Sequence, residues 1–425
     1  MNRKVLSVLL AVAMVFCMFA LSACADTGDK KDPDSGKDEG TANEDIKIGA
    51  ILLGDENEGY TAAHIDGIKK AAENLNLKED QIVWRYSVPE NENCYDAAME
   101  LVDAGCELIF SNSFGHQTYM QQAASEVPDV TFVAMTGDTA VTSGLDNLCN
   151  AFTKIYQSRY VSGVVAGMKL AELEKDEKLT EDNYDEDGNI LVGYVGAYPY
   201  AEVISGYTAF FLGIQSVVEN VAMQVQFTNS WFDITAEGEA ANMLMANGCV
   251  IIGQHADSTG APAAVQAAHE NGTLAFSVGY NIDMQSVAPD VALTSATNNW
   301  AVYYEYAIST MQKGETLPKN WAEGFEQDAV AITELSAACA EGTEEKVEEV
   351  ISAIKAGELH VFDITKFTVD GKQVDSCVVD LNNNLQNTDP EDKEAIWDGY
   401  FHESELRSAP SFALNIDGIT KLNAD

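Results

Sequence analysis

Basic residues are scarce in this chain of 425 residues. Lysine and arginine together number 24, against 68 aspartates and glutamates, so the formal net charge at pH 7 is −44. A surface of that sign repels phosphate groups, which argues against DNA or RNA binding and against a polyanionic ligand held by a basic patch. We interpret the acidic surface as a feature that keeps the protein soluble.

Sequence motifs of enzymes, metal sites and nucleotide-phosphate sites are also missing. No predicted strand is followed by Gly-x-Gly-x-x-Gly or a P-loop lysine, and there is no Gly-x-Ser-x-Gly elbow. The six histidines are scattered, without His-Glu-x-x-His or any paired spacing. Asp55, Glu56 and Glu58 are close in sequence but lack the spacing of an EF-hand loop. We therefore expect no metal, no cofactor and no catalytic residues.

The eight cysteines include no Cys-x-x-Cys pair and no pair spaced like a zinc knuckle. Cys106 and Cys249 each begin a predicted buried strand, where cysteine behaves as a small hydrophobic residue. We favour buried free thiols over disulfides, while an oxidising compartment would permit either. The six cysteines concerned are Cys94, Cys106, Cys149, Cys249, Cys339 and Cys377.

The N-terminus has a short basic region and an apolar run that ends in Leu-Ser-Ala-Cys at residues 21–24. This pattern indicates a secretory signal peptide (1–23), because the run is shorter than the roughly 20 residues of a typical spanning helix. The ending resembles the lipobox of bacterial lipoproteins, which implies cleavage before Cys24 and attachment of diacylglycerol to its sulfur. Residues 24–45 have almost no aliphatic side chains, so we expect a disordered acidic tether after the lipidated cysteine. No later stretch is long and apolar enough to span a membrane.

Short apolar runs alternate with helical stretches through the rest of the chain. Strands that alternate with helices of about 10 to 15 residues predict parallel sheets with helices on both faces. The alternation runs twice, with a mostly acidic insertion at 172–189 between the two series. We therefore predict an α/β protein of two Rossmann-like lobes with parallel sheets, joined by a hinge. The first lobe should contain 46–150 and about 285–355, and the second 151–284 and part of 356–425.

Ligands bind beyond the carboxyl ends of the strands in open parallel sheets, so the residues after each strand are the candidates. Most of these strand ends carry an aromatic ring, an amide or a hydroxyl group, which would line a cleft between the lobes. Rings could sandwich a flat heterocycle, and Asp257 could accept hydrogen bonds from a base N–H or an exocyclic amine. The candidate ligand-binding residues are Tyr60, Asn112, Phe114, Trp231, His255, Asp257, Asn281, Asn298 and Trp300.

The stretch "GQHADSTGAP" at 253–262 also has an enzymatic interpretation. It holds His255, Asp257 and Ser258, which are the residue types of a serine-hydrolase triad. One short turn seldom supplies a complete triad, so we favour binding, with an extracellular nucleoside-processing enzyme as the alternative. For the aromatic rings the alternative is burial in the core, above all for Trp300, which opens an aromatic-rich helix.

The mature chain resembles the basic membrane protein family, which comprises substrate-binding lipoproteins of ABC importers and includes purine nucleoside receptors. The similarity covers segments such as "CELIFSNSFGH" (106–116), "LVGYVGAYP" (191–199) and "GCVIIGQHADSTGAPAAVQAAHENG" (248–272). It implies the periplasmic-binding-protein type I fold, with a purine or purine nucleoside held between aromatic rings. It also implies ABC permease subunits as partners and a lipid-anchored position at the extracytoplasmic face of the cell membrane. A solute sensor or a sugar receptor would use the same fold, and both stay open.

Three positions depart from the pattern of nucleoside-binding members. Residues 255–258 replace a glycine-rich turn, Asn281 replaces the aspartate for the ribose hydroxyls, and Asn298 replaces a lysine. These changes weaken the case for ribose recognition and resemble a branch that holds a free purine base such as adenine. In that branch Asp257, Asn298 and Trp300 would gain importance. We therefore favour a purine base over a nucleoside as the ligand.

Overall fold

The computed structural model describes residues 43, 45–381 and 392–424. The predicted signal peptide, the lipidated Cys24 and all of the predicted tether except residues 43 and 45 lie outside these residues. Within the described part of the chain, no helix is both long enough and apolar enough to cross a membrane.

The first sheet has six strands, and every neighbouring pair in it is parallel. Its strands are β1 Ile48–Ile51, β2 Ile82–Arg85, β3 Leu108–Ser111, β4 Thr131–Met135, β5 Leu148–Ala151 and the late strand β11 Asn320–Trp321. Their order across the sheet is β11-β5-β4-β3-β1-β2. The helices between the early strands are α1 Gly59–Asn74, α2 Asn93–Asp103 and α3 Gln117–Glu126. We call this sheet and its helices the first lobe.

The second sheet has seven strands and forms the second lobe. Its strands are β6 Ile190–Gly196, β7 Val221–Phe227, β8 Ile251–Gln254, β9 Phe276–Tyr280, β10 Ala292–Asn298, β12 Val330–Ile332 and β17 Ile419–Lys421. Their order is β12-β10-β9-β8-β6-β7-β17, and all pairs are parallel except β10 with β12. Its helices are α4 Ile155–Lys175, α5 Ala201–Gln215, α6 Ile234–Ala246 and α7 Gly260–Glu270.

The sequence pattern of each strand follows from its place in the sheet. All seven residues of β6 are buried, as expected for an apolar run that is covered by helices on both faces. β7 alternates buried and half-buried residues, which shows that one face of this strand is less completely covered than the other. The predicted α/β class with parallel sheets is therefore confirmed.

The chain crosses between the lobes after β5, after β10 and between β11 and β12. After β10 it enters α8 Trp300–Gln312, which packs on α1 of the first lobe. The crossing segments lie side by side: the Lys154 N–H donates to Glu323 O at 2.8 Å, and the Asn299 N–H donates to Ala329 O at 2.9 Å. Of the range 285–355 that was predicted for the first lobe, β10 and β12 therefore lie in the second sheet. Only β11 and α8 join the first lobe.

The chain after α9 Thr343–Lys355 contacts both lobes. It contains the short strands β13 Val378–Val379, β14 Lys393–Glu394, β15 Ile396–Trp397 and β16 Tyr400–Phe401, in two antiparallel pairs. Arg407 forms a buried ion pair with Asp138, which follows β4, with 3.2 Å between Nη1 and Oδ2. Further on, β17 extends the second sheet beside β7. This segment therefore contacts both lobes.

The cysteines of the described residues are unpaired. Cys94, Cys106, Cys149 and Cys249 are buried, as the sequence predicts for small hydrophobic side chains. Burial raises the pKa of the Cys106 thiol to about 11, so the thiol is protonated and unreactive at neutral pH.

Candidate functional site

A cavity lies where the carboxyl ends of the two sheets face each other, and its atom-free space, together with the open solvent at its mouth, is about 360 Å³. This is the place where open parallel sheets bind ligands. Both lobes contribute to its wall. The lining residues are Leu53, Tyr60, Asn112, Ser113, Phe114 and Thr136 from the first lobe, and Glu202, Trp231, His255, Asp257 and Tyr280 from the second.

Tyr60 lies at the first turn of α1, and its position is fixed from both ends. The Glu58 carboxylate caps the helix by accepting the main-chain N–H groups of Tyr60 at 3.2 Å and Thr61 at 3.0 Å. The Tyr60 hydroxyl donates to Asn112 O at 2.7 Å. Its ring is therefore held at the cavity wall before any ligand arrives.

Asn112 connects the ends of two strands to α1. Its Oδ1 accepts the Leu53 N–H at 2.8 Å, and its Nδ2 donates to the Thr61 hydroxyl at 3.1 Å. Both ends of this amide have protein partners, and the residue is buried. In this structure Asn112 holds the first-lobe wall in shape.

Aromatic rings from both lobes meet at one side of the cavity. The Phe114 ring of the first lobe lies 6.1 Å from the Tyr200 ring of the second, measured between centroids. Tyr200 stacks on Tyr198 at 5.1 Å, and Tyr198 contacts Trp231 edge to face at 5.1 Å. These distances lie in the range in which aromatic pairs attract each other.

Close backbone contact shows that the cleft is closed. A Cβ atom on Gly59, at the start of α1 in the first lobe, would lie only 3.2 Å from Asp257 O in the second. Glycine allows the two lobes to approach this closely, and a larger side chain would push them apart.

The turn after β8, 255–258, is held by buried side chains. The Asp257 N–H donates to Trp231 O at 2.8 Å, so the turn is hydrogen-bonded to the loop that bears the Trp231 indole ring. The Ser258 N–H lies 3.2 Å from both oxygens of Glu237, a fully buried carboxyl on α6. Burial raises the pKa of Glu237 to about 7.

His255 is buried and bonds to a carboxylate. Its Nε2 lies 3.0 Å from Oε1 of Glu202. Burial, reinforced by the positive charge of Arg159, lowers the pKa of His255 to about 4, so the ring is neutral at pH 7 and its Nε2–H donates to Glu202. The Ser258 hydroxyl oxygen accepts the Gly260 N–H at 3.0 Å instead of facing this imidazole. The turn therefore does not bring serine, histidine and acid together as a triad would require.

A chain of hydrogen bonds connects Asp257 with two of the crossing segments. Asn281, which adopts a left-handed conformation at φ 63°, donates its Nδ2–H to Asp257 Oδ1 at 2.7 Å. Asn298 Nδ2 lies 3.4 Å from Asn281 Oδ1, and the Thr153 hydroxyl donates to Asn298 Oδ1. We call Thr153, Asn298, Asn281 and Asp257 the amide chain.

The carboxyl of Asp257 lies among other acidic groups. Burial is the main reason that its pKa is well above the ordinary value, and the negative charges of Glu58, Glu237 and Glu202 raise it further. Arg159 opposes the shift. Among the described residues that line the cavity, none is a lysine or an arginine.

Arg159 is buried behind the cavity wall. Its guanidinium carbon lies 3.6 Å from the centroid of the Tyr280 ring, and its Nη1 donates to Gln254 O. It therefore supports the ring and the end of β8 and has no surface in the cavity lining.

The predicted site residues fall into two groups. Those that line the cavity are Tyr60, Asn112, Phe114, Trp231, His255 and Asp257. Asn281 and Asn298 lie behind Asp257 in the amide chain. Trp300 is buried, with its ring stacked on His64 at 4.2 Å, and it does not reach the lining.

Several lining residues are absent from the sequence-based candidates. Tyr280 is the last residue of β9, and Glu202 lies at the start of α5, the helix that follows β6, so the strand-end rule could have found them. The other additions are Leu53, Ser113 and Thr136. No cluster of three or more His, Cys, Asp or Glu side chains suited to a metal ion occurs in the described part of the chain.

Comparison with known proteins gives a consistent family. Residues 54–364 match the Bmp family model, described as ABC transporter substrate-binding protein PnrA-like. A purine-binding protein of Brucella abortus (strain 2308) is 32% identical over 322 residues, which are 76% of this chain and 84% of that protein. A putative ABC transporter glucose-binding protein of Haloferax volcanii is 26% identical over 337 residues, covering 79% and 78%.

The fold is shared with a solved ABC transporter solute-binding protein from Aeropyrum pernix K1. The TM-score is 0.61 at 16% sequence identity, and the alignment covers 75% of this chain and 93% of that one. At this identity the likeness concerns the fold alone.

Replacing His255 with glutamine should reduce the acid sensitivity of the fold. A group whose pKa falls from 6.5 to about 4 on folding provides stability that is complete above about pH 6.5 and is lost as the pH falls towards 4. Between pH 7 and about pH 5, we expect the wild type to lose about 2 kcal/mol more unfolding free energy than His255→Gln. Denaturant titrations at both pH values measure this, and equal losses would contradict it.

Proposed function

This chain belongs to the Bmp family of PnrA-like ABC transporter substrate-binding proteins, and from that premise we propose that it captures a purine base in the closed cleft. The family consists of extracytoplasmic solute-binding receptors. The finer assignment, to a purine and to a base instead of a nucleoside, is our inference from the cavity.

The observation that carries the proposal is the set of rings around a single buried carboxyl. Tyr60 and Phe114 from one lobe and Trp231 and Tyr280 from the other line the same cavity as the buried carboxyl of Asp257. Each stacked ring contributes about 0.5–1.5 kcal/mol beyond the burial of its area, which favours a flat aromatic ligand. A purine edge also supplies the polar groups that a buried carboxyl requires.

The lining chemistry argues against a phosphorylated ligand and for a free base. Without a lysine or arginine at the wall, a phosphate would be buried with no charged partner. Asn281 and Asn298 occupy the positions linked to ribose recognition. Asn298 donates to Asn281, and Asn281 donates to Asp257, so both amides are used within the amide chain. They are therefore engaged by the protein. The purine-binding name of the Brucella relative supports the same ligand class.

We infer the transport role from the family to which the chain belongs. We infer that the lobes close around the base by rotation about the crossing segments, and that the closed form is presented to ABC permease subunits. A sensor that reports the same closure to a different membrane partner would use the same cleft.

We also propose that Cys24 carries a lipid that holds the protein at the cell membrane, on the strength of the Leu-Ser-Ala-Cys ending. In cells, Cys24→Ala should move the protein from the membrane fraction to the soluble fraction. Equal membrane retention of both forms would rule out the anchor.

A sugar is the second candidate ligand, because the Haloferax relative is named as a glucose-binding protein. Rings also stack on pyranose faces, and carboxylates accept hydroxyl hydrogens. Binding measurements with a panel of bases, nucleosides and sugars distinguish the two candidate ligands.

Adenine should raise the melting temperature of the protein, whereas glucose should not. Binding to the native state alone adds about 2.7 kcal/mol of apparent stability at a hundredfold excess of ligand over Kd. A thermal-shift panel with bases, nucleosides and sugars measures this, and mass spectrometry of molecules that copurify provides an independent check. A shift with glucose alone would replace the purine with a sugar.

Trp231→Ala should weaken adenine binding by about ten- to a hundredfold, because the base loses a stacked ring and the burial that the ring provides. The half-buried Trp231 side chain lies at the cavity edge, so the unfolding free energy should change little. Isothermal titration calorimetry and thermal melts separate the two effects.

Trp84→Ala is the matched control for this experiment. Trp84 is a half-buried tryptophan on β2 that stacks on Tyr86 at 5.7 Å, away from the cavity. Its loss should leave the affinity unchanged. If Trp231→Ala lowers stability and affinity equally, Trp231 supports the fold and does not contact the ligand.

A further inference from the structure

We propose that Asp257 recognises the base as a neutral carboxylic acid and thereby selects an aminopurine edge, on which a ring nitrogen lies beside an exocyclic amine. The hydroxyl of the acid would donate to the ring nitrogen, and its carbonyl oxygen would accept from the amine. This inference rests on the proposed function and names the chemical edge that the cleft reads.

The hydrogen bonds of Asp257 leave one side of its carboxyl available. Oδ1 accepts the Asn281 Nδ2–H at 2.7 Å, and the main-chain N–H is used by Trp231 O. Among the described residues, no protein group hydrogen-bonds to Oδ2. Because Asn281 donates, Oδ1 has to be an acceptor, and a proton on the acid is therefore placed on Oδ2.

The groups that face Asp257 carry mostly negative charge. Glu58 precedes α1 in the first lobe, Glu202 lies on α5 and Glu237 on α6, and Arg159 on α4 is the opposing cation. The other titratable neighbours are Tyr60, Tyr280 and His255, which burial keeps neutral near pH 7.

An ionised Asp257 would therefore add a negative charge to a buried acidic site. Burial and these neighbours hold the pKa of Asp257 well above its ordinary range. Arg159 does little to offset them in the lining, because its guanidinium lies against the Tyr280 ring and Gln254 O. The protonated acid is the form that this environment favours.

The protonation state decides which ligand edge fits. An ionised carboxylate only accepts hydrogen bonds and suits two neighbouring donors, whereas a protonated acid both donates and accepts. The aminopurine edge has one acceptor beside one donor, which matches the acid, whereas an edge with two neighbouring donors does not. A mismatch would leave a buried polar group unpaired on each side, and this is how such sites discriminate.

Substitution by asparagine tests the proposal, because an amide has the same shape and the same donor and acceptor as the neutral acid. Asp257→Asn should bind adenine within about tenfold of the wild type, with Oδ1 still accepting from Asn281 and Nδ2 donating to the base. Asp257→Ala, which removes both hydrogen bonds, should weaken adenine binding by about a hundredfold.

The pH profile gives a second readout on the unmodified protein. Only the neutral acid binds, so the adenine affinity of the wild type should hold at low pH and fall tenfold per pH unit above the pKa of Asp257 in the free protein. Asp257→Asn should show no such fall. Asp103→Asn, at an exposed carboxyl on α2, is the control and should keep the wild-type profile.

Calorimetric Kd values for adenine from about pH 5.5 to about pH 8.5, with thermal melts to verify folding, complete the test. Wild-type affinity that rises with pH would overturn the proposal, since binding would then favour the carboxylate. A folded Asp257→Asn protein as weak as Asp257→Ala would also overturn it. A wild-type protein that binds no adenine at any pH removes the proposed function as well, whereas loss in Asp257→Asn alone removes only this inference.

Discussion

The cleft depends on one constraint, the burial of the Asp257 carboxyl at the point where the two lobes meet. A buried acid is stable only when its oxygens are hydrogen-bonded and its charge is neutralised or balanced. Here the hydrogen bond comes from Asn281, while the neighbouring charges of Glu58, Glu202 and Glu237 are of the same sign. The environment of this carboxyl therefore favours its neutral form and a ligand that completes its hydrogen bonding.

Closure and recognition are coupled through the same group. Glu58 belongs to the first lobe and Asp257 to the second, so bringing the lobes together brings two carboxyl groups together. The hydrogen bonds of the amide chain connect Asp257, through Asn281, with Asn298 and Thr153, which flank two of the crossings. In the proposed function, a base seated between the lobes would satisfy the acid and place atoms between the rings of the two lobes, which gives a physical reason for closing around a ligand.

The sequence supplied the fold class and much of the cavity wall, because both follow from local patterns. Alternating strands and helices predict parallel sheets, and the strand-end rule led to Tyr60, Phe114, Trp231 and Asp257. The strand-end rule could not distinguish side chains that line the cavity from side chains that lie behind the cavity wall. Trp300 fits the pattern of a ring after a strand, yet the packing of α8 on α1 turns it towards His64.

The lobe boundaries and the contacts of the C-terminal segment could not be predicted from local sequence patterns. β10 pairs with β9, the strand before it, and β12 pairs with β10, and only these pairings assign both strands to the second sheet. The chain beyond residue 364 lies outside the family match and has little periodicity, yet it buries Arg407 against Asp138 of the first lobe. Breaking a buried ion pair by moving one partner leaves the other charge without compensation. In the proposed hinge motion, residues near Arg407 would move together with the first lobe, while β17 stays bound to β7 of the second. The C-terminal segment thus restricts how far the lobes can separate, and the closed cleft is a property of the whole described chain.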